Sequence, residues 1–235
     1  MGTTNIKPTI VAATPSAGSV ERLTFLLSAV AGYCDTTTFV RGNETFSAHV
    51  TGNFIVFAGQ AVFGADAWAW LKLTTFPAFI LSVILGGWLV LKTPGRYALL
   101  FAESILLIVA CVMALVARCS TDPDQRWQVY GVVMLVVVAM GLQNAFGKLF
   151  AKETTGPTTI MTGNVTQAAL DIGTLFRNKF KGSQTAQSLQ KLAVNIGGFL
   201  GGCLLGGIMA KGIGLAAVGL PGLVLLFWFF KTKRS

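Results

Sequence analysis

Six stretches of this chain are apolar and long enough to cross a lipid bilayer, and no other feature constrains the fold as strongly. A transmembrane helix needs about 20 mostly apolar residues. Only 11% of the residues are charged, 53% are hydrophobic, and the mean hydropathy is +0.67. Because a soluble surface needs far more charge, the sequence predicts an all-α integral membrane protein. The six stretches are Arg22–Val40, Leu73–Leu91, Tyr97–Ala117, Gln128–Phe150, Leu189–Ala210 and Ile213–Phe230.

The tripeptide Thr-Gly-Asn occurs twice, and the two copies lie 111 residues apart, which is close to half the chain. Each copy begins a short apolar segment and follows a span with polar groups in its middle. This pattern indicates two sequence repeats with a helix break at the same place in each, and such paired breaks point to a substrate site. The copies are Thr51-Gly52-Asn53 after Gly32-Tyr33-Cys34-Asp35, and Thr162-Gly163-Asn164 after Gly141-Leu142-Gln143-Asn144.

The two short segments, Phe54–Gly64 and Val165–Phe176, leave the number of crossings open. Segments of this length are more often broken or re-entrant than full spans, so we expect six full helices plus two short ones, with eight spans as the alternative. With a cytoplasmic N-terminus, eight crossings put 12 Lys and Arg residues inside and 6 outside, whereas re-entrant segments give 13 and 5. The positive-inside rule therefore does not separate the two topologies.

The predicted domain boundaries follow from the repeats. They are a disordered cytoplasmic leader at 1–21, membrane repeat 1 at 22–117, membrane repeat 2 at 118–230 and a cytoplasmic basic tail at 231–235. Three crossings per repeat would make the repeats inverted, and four would make them parallel. Both topologies put the C-terminus in the cytoplasm of a cell whose inner (plasma) membrane holds the protein.

Asp35 is a functional candidate because an ionised carboxylate inside a bilayer costs several kcal/mol unless it is paired or hydrated. It would bind a proton or a cation, hydrogen-bond a substrate, or lock helices together; its counterpart is the neutral Asn144. In the Thr-Gly-Asn motifs, Thr and Asn are typical helix caps, and a helix start inside the membrane favours an anion or polar ligand. The predicted substrate-binding residues are Asp35, Thr51, Gly52, Asn53, Gln143, Asn144, Thr162, Gly163 and Asn164.

Other polar groups carry weaker signals. Glu103 lies close to Arg96 in the sequence, which favours pairing or snorkelling near the headgroups. His49 is interpreted as a hydrogen-bonding residue at the interface, with titration near neutral pH as the alternative. The sequence contains no nucleophile–base–acid set, no His or Cys metal cluster and no phosphate-binding glycine loop, so we predict no enzyme, no cofactor and no metal. The net charge of +9 is interpreted as a topology signal and not as nucleic-acid binding.

The segment from Gly197 to Gly207 repeats glycine at four-residue spacing, which permits close contact between helices in lipid. The partner helix belongs either to the same chain or to a second copy. A homodimer through Gly197, Gly201, Gly202 and Gly206 is therefore one of the two predictions.

The motifs Gly32-Tyr33-x-Asp35 with Thr51-Gly52-Asn53, and Gly141-Leu142-Gln143-Asn144-Ala145 with Thr158-Thr159 and Thr162-Gly163-Asn164, resemble those of the YoaK-like family. The resemblance covers about Arg22 to Phe230. It implies a multi-pass protein of the bacterial inner membrane. The family is described as a domain of unknown function, and its members are often guessed to be transporters.

The leading expectation is a secondary transporter or channel-like permease for a small polar or anionic solute. Its site would lie at the interface of the two Thr-Gly-Asn breaks, with proton coupling through Asp35. The alternative is a non-transporting membrane scaffold or sensor whose polar motifs only join helices. A membrane enzyme is the least favoured class, because Asp35 and His49 lack a third group.

Overall fold

The chain forms eight α-helices and no strand within the residues that the computed structural model describes: 16–64, 69–93, 95–119, 126–155, 158–159, 161–178 and 182–234. The all-α prediction is confirmed. The helices are α1 (Ala17–Arg41), α2 (Gly52–Val62), α3 (Leu71–Lys92), α4 (Ala98–Cys119), α5 (Arg126–Leu149), α6 (Met161–Arg177), α7 (Ser183–Ile213) and α8 (Gly219–Arg234), with a 3-10 helix at Gly214–Val218.

Large apolar side chains cover the outside of the helices, as expected of a protein in lipid. Leu81 on α3, Trp88 on α3 and Phe227 on α8 expose 59%, 61% and 71% of their surface. Five stretches are long and apolar enough to cross a membrane, and the last of them, Ser183–Lys233, contains both α7 and α8. The protein is therefore a multi-helix membrane protein in contact with the lipid bilayer.

Helices α1 and α7 run in the same direction. Near their middles, the Ser28 hydroxyl donates to the Asn195 side-chain oxygen at 2.6 Å, and near their ends the Arg41 guanidinium donates to the Ala210 carbonyl at 2.9 Å. Helices α3 and α5 are parallel in the same way, since Thr74 bonds Tyr130 and, two turns on, the Ser82 hydroxyl donates to the Val138 carbonyl at 2.5 Å.

Helix α5 runs opposite to α1. The Gln143 amide near the end of α5 donates to the Leu27 carbonyl near the start of α1 at 2.8 Å, whereas Val133 near the start of α5 lies against Gly42 after the end of α1. These helix directions define two opposite faces of the bundle. The Arg41 face holds the ends of α1 and α7 and the starts of α3 and α5. The Glu153 face holds the starts of α1 and α4 and the end of α5.

The glycine-rich face of α7 packs against α1 of the same chain. A Cβ added at Gly198, Gly202 or Gly206 would meet the carbonyl oxygens of Phe25, Ala29 and Tyr33 on α1, whereas Gly197 and Gly201 have nothing within 4 Å. The predicted homodimer face is therefore wrong for Gly202 and Gly206, because α1 already occupies their side of the helix. The same-chain alternative accounts for their spacing.

Several predicted boundaries differ from the structure. The span predicted to begin at Leu189 begins at Ser183 as α7, and the span predicted to begin at Ile213 begins at Gly219 as α8, after the 3-10 helix. Helix α1 begins at Ala17 and so includes the end of the predicted leader, whose residues 1–15 lie outside the described part of the chain. At the other end, α8 continues through the predicted tail to Arg234.

The close contact between α1 and α7 predicts a strong position dependence of glycine substitutions. Gly202→Ala places a methyl group on the Ala29 carbonyl, so we expect unfolding to become easier by about 1–3 kcal/mol. Thermal unfolding of the purified protein in detergent measures this. Gly201→Ala is the matched control, since its added methyl group meets open space, and its melting temperature should equal or slightly exceed that of the wild type. Equal effects of the two substitutions would contradict the packing.

Candidate functional site at the two break loops

The first break loop, residues 42–51, is held inside the protein by one buried carboxylate. Asp35 Oδ1 accepts hydrogen bonds from the backbone N–H groups of Ser47 at 2.7 Å, Ala48 at 2.6 Å and His49 at 3.4 Å, and from the Ser47 hydroxyl at 3.3 Å. Irregular backbone at membrane depth needs such partners, because lipid offers none. The negative charge strengthens each bond. Asp35 therefore fixes the loop that leads into α2.

His49 forms an ion pair and hydrogen bond from Nδ1 to the second oxygen of Asp35. About a third of the His49 side chain is exposed, and its ring contacts Phe199 edge to face. The hydrogen bond to Asp35 raises the pKa of His49 above its usual value, against the opposing effect of burial. This pair links a buried charge to a group that solvent reaches.

Asn53, the last residue of the first Thr-Gly-Asn motif, clamps the same loop onto α3. Its amide oxygen accepts from the Phe46 N–H at 2.8 Å, and its nitrogen donates to the Phe46 carbonyl at 2.8 Å and to the Thr75 hydroxyl at 2.9 Å. The expectation that Thr51 caps α2 is wrong, since its side chain makes no capping bond and is exposed. Asn53 is therefore the motif residue that holds the non-helical segment before α2 in place.

The described residues of the second break loop, 150–155 and 158–159, are held by both neutral and charged groups. The Asn144 amide donates to the Thr159 hydroxyl at 2.6 Å, and the Gln143 amide donates to the Thr158 hydroxyl at 3.0 Å. The Glu153 carboxylate accepts from Arg96 at 3.0 Å and from the Tyr97 hydroxyl at 2.8 Å. The Gln143 oxygen is buried without a partner among the described residues.

A cavity of about 470 Å³ opens beside the first break loop on the Arg41 face. It lies between the ends of α1 and α2 and the starts of α3 and α5, and its charged lining residues are Arg41, Glu44, Lys72 and Arg126. Among the described residues, a small pocket of about 10 Å³ lies beside the second loop and is lined by Gln143, Asn144, Gly147, Lys148, Thr158 and Thr159.

The structure groups the predicted site residues within each loop unit and not across the units. Asp35 and Asn53 bind the first loop, and Gln143 and Asn144 bind the second. Thr162 and Gly163 at the start of α6 are exposed, whereas Asn164 is buried. Helix α2 packs against α3 and α6 packs against α7, and α2 does not touch α6. The two halves meet where α1 packs on α7, where α3 and α4 pack on α5 and where α4 packs on α8, and α1 also touches α5.

Sequence reasoning missed the basic lining of the large cavity. Arg41, Lys72 and Arg126 were interpreted only as a topology signal, and nothing in their spacing shows that three helix ends converge. Thr158 and Thr159 were quoted as part of the motif without a role, and they are the partners of Gln143 and Asn144. A search for polar residues at the same offset before each Thr-Gly-Asn motif would have found them.

Glu103 is placed differently from the expectation. It is fully buried in α4 without a hydrogen-bond partner in the described part of the chain. Arg96, its expected partner, donates instead to Glu153 at 3.0 Å. The predicted pairing of Glu103 with Arg96 is therefore wrong.

Most of the chain matches one known protein family. Residues 23–230 match the family described as "Protein of unknown function (DUF1275)". The chain belongs to the DUF1275 family. The resemblance to the YoaK-like family is confirmed, since that family is known as DUF1275. No curated protein and no solved structure matches the chain, so membership of DUF1275 brings no function with it.

The Asp35–His49 pair predicts the titration of His49, which is the one histidine in the sequence. Nuclear magnetic resonance of labelled imidazole should give a pKa above the usual value of about 6.5. In Asp35→Asn the pKa should fall to or below that value, because only burial then acts on it. Since the folded state holds the proton more tightly, the pair stabilises the fold fully below pH ~6.5 and less as pH rises through the folded pKa. An unchanged pKa in Asp35→Asn would contradict the pairing.

Proposed function

We propose that this DUF1275 protein is a secondary transporter or channel-like permease for a small anionic or polar solute. The solute would pass along the crossing of α1 and α5, between the two break loops. The observation that carries the proposal is the large basic cavity of about 470 Å³ beside the first loop.

The helix directions support six crossings with two short re-entrant helices. Asp35 lies six residues before the end of α1, about 9 Å along the helix, and the first loop returns to that depth before α2 starts. Helix α2 has 11 residues and is about 16 Å long, which is about half of a ~30 Å hydrocarbon core. Since α3 runs opposite to α1, α2 would return to the Arg41 face from which its loop entered.

Equivalent contacts in the two halves support an inverted repeat. Helix α1 packs on α7 as α5 packs on α3, and the matched residues are always 109 apart on α1 and α5 and 120 apart on α3 and α7. Because α1 and α5 run in opposite directions, the repeats would be inverted, as in many transporters. The matched contacts are Gly32 to Phe199 with Gly141 to Phe79, Ala29 to Gly202 with Val138 to Ser82, and Tyr33 to Gly206 with Leu142 to Gly86.

The charges around the cavity favour an anionic solute. Three basic side chains and one acidic side chain line it, and Lys72 among them is buried. Glu44 accepts a hydrogen bond from Gln60 on α2 at 3.0 Å, so its charge is directed partly at that helix. Proton coupling would act through Asp35 and His49, because loss of the His49 proton changes the charge next to the first loop.

The rival proposal is a scaffold or sensor in which the same bonds only join helices. The dense bonding of Asp35 and Asn53 to their own loop is consistent with it. A scaffold requires no solute flux, so the two proposals give different results in proteoliposomes.

Solute-driven currents in proteoliposomes test the permease proposal. Concentration jumps of inorganic anions and small carboxylates on a solid-supported membrane should produce a current for at least one anion. Lys72→Gln should reduce the apparent affinity roughly 10- to 150-fold, because a charge-assisted bond to the solute is worth roughly 1.5–3 kcal/mol.

Lys191→Gln is the matched control, since Lys191 is exposed on α7 and lies outside the cavity lining. It should leave the affinity unchanged. Absence of current across the panel, with a folded protein, would favour the scaffold. Equal loss of affinity in both lysine variants would remove the solute from this cavity.

A further inference from the structure

Glu103 is a buried acid that the proposed transport path does not use. Neither of its carboxyl oxygens has a hydrogen-bond partner among the described residues, and its side chain is completely buried. The other residues on the same buried stripe of α4 include Leu99, Leu100, Leu107 and Ala110. The other buried acids among the described residues, Asp35, Glu153 and Asp171, each accept at least one hydrogen bond. Glu103 is therefore in a different electrostatic situation from all three.

The helices around α4 bring no charged group to this position. Helix α4 packs against α3, α5, α8 and the 3-10 helix. The charged residues of α3, α5 and α8 lie at or near the helix ends, and the 3-10 helix has none; they are Lys72, Lys92, Arg126, Lys148, Lys231, Lys233 and Arg234. Across the core, the Cys34 thiol on α1 is the titratable group within electrostatic range of Glu103.

An ionised carboxylate in this place would be unstable. Taking a charge from water into the interior of a membrane bundle costs several kcal/mol, and only a paired or hydrogen-bonded charge recovers that cost. Glu103 has neither kind of partner. We infer that Glu103 is a proton-binding site in the membrane interior, which holds a proton in this conformation and exchanges it with water when α4 separates from its neighbours.

The seam between α4 and α8 is closely packed in this conformation. A Cβ at Gly219 would lie 2.6 Å from the Cys111 sulfur, and one at Gly222 would lie 2.9 Å from the Leu107 Cβ. Glycine therefore brings the two helices so close that no water fits between them here. Opening this seam hydrates Glu103, the proton passes to a water molecule, and a carboxylate remains. No other reactant is needed.

The proton on Glu103 does not depend on the nature of the solute. Only the coupling of proton release from Glu103 to the change of access rests on the proposed transport function. This site is also distinct from the Asp35–His49 pair, since Asp35 accepts bonds from the first break loop and Glu103 accepts none.

Infrared difference spectroscopy of the reconstituted protein tests the proton site without any solute. At pH 7 the wild type should show a carboxylic-acid carbonyl band that is completely lost in Glu103→Gln and retained in Glu44→Gln, the matched exposed control. After transfer into heavy water, the band should shift as the Glu103 proton is exchanged for a deuteron.

Two results would overturn the inference. If Glu103→Gln removes no carboxylic-acid band, Glu103 is ionised and holds no proton. If the band is present but never shifts in heavy water, the acid is permanently sealed and has only a structural role. Neither result depends on the anion-driven currents, so failure of the proton site and failure of the transport proposal are separate outcomes.

Discussion

The rest of this structure depends on how the backbone of two non-helical loops is hydrogen-bonded inside a bundle of apolar helices. A helix satisfies its own N–H and C=O groups, but a loop does not. In the first half, Asp35 supplies one oxygen to three consecutive N–H groups. The Asp35 carboxylate, whose charge is costly in a membrane, thereby serves as the hydrogen-bond acceptor for this loop. The loop in turn sets where α2 begins.

In the second loop, the amides of Asn144 and Gln143 donate to Thr159 and Thr158. The Glu153 carboxylate of the same loop accepts from Arg96 and Tyr97. The close packing of α7 on α1 and of α5 on α3 provides the frame that both loops share.

Much of the architecture follows from the sequence because the membrane leaves few choices. Apolar stretches of sufficient length gave α3, α4 and α5 to within about two residues, as with Leu73–Leu91 against Leu71–Lys92. The starts of α1, α7 and α8 differ from the predicted ones by five or six residues. The repeated Thr-Gly-Asn motif located the starts of both short helices. Asp35 and Asn144 were found because a polar group inside a span is costly and so stands out.

The remaining features depend on which way helices face, and hydropathy does not encode that. Asn53 was expected to cap its own helix but bonds Phe46 and Thr75, because the loop folds back over it. Glu103 was expected to pair with Arg96, but the rotation of α4 turns it into the bundle. The glycines of α7 gave a spacing that fits any helix partner, and only the packing identifies α1.

The central claim is that the two break loops enter the membrane from opposite faces, and side-specific labelling of single cysteines tests it most directly. In a background free of the four native cysteines, Asn43→Cys reports on the first loop and Lys152→Cys on the second. A membrane-impermeant maleimide applied to right-side-out and inside-out vesicles should label them from opposite sides. Labelling of both from the same side would contradict the account, because it would require eight crossings and parallel repeats.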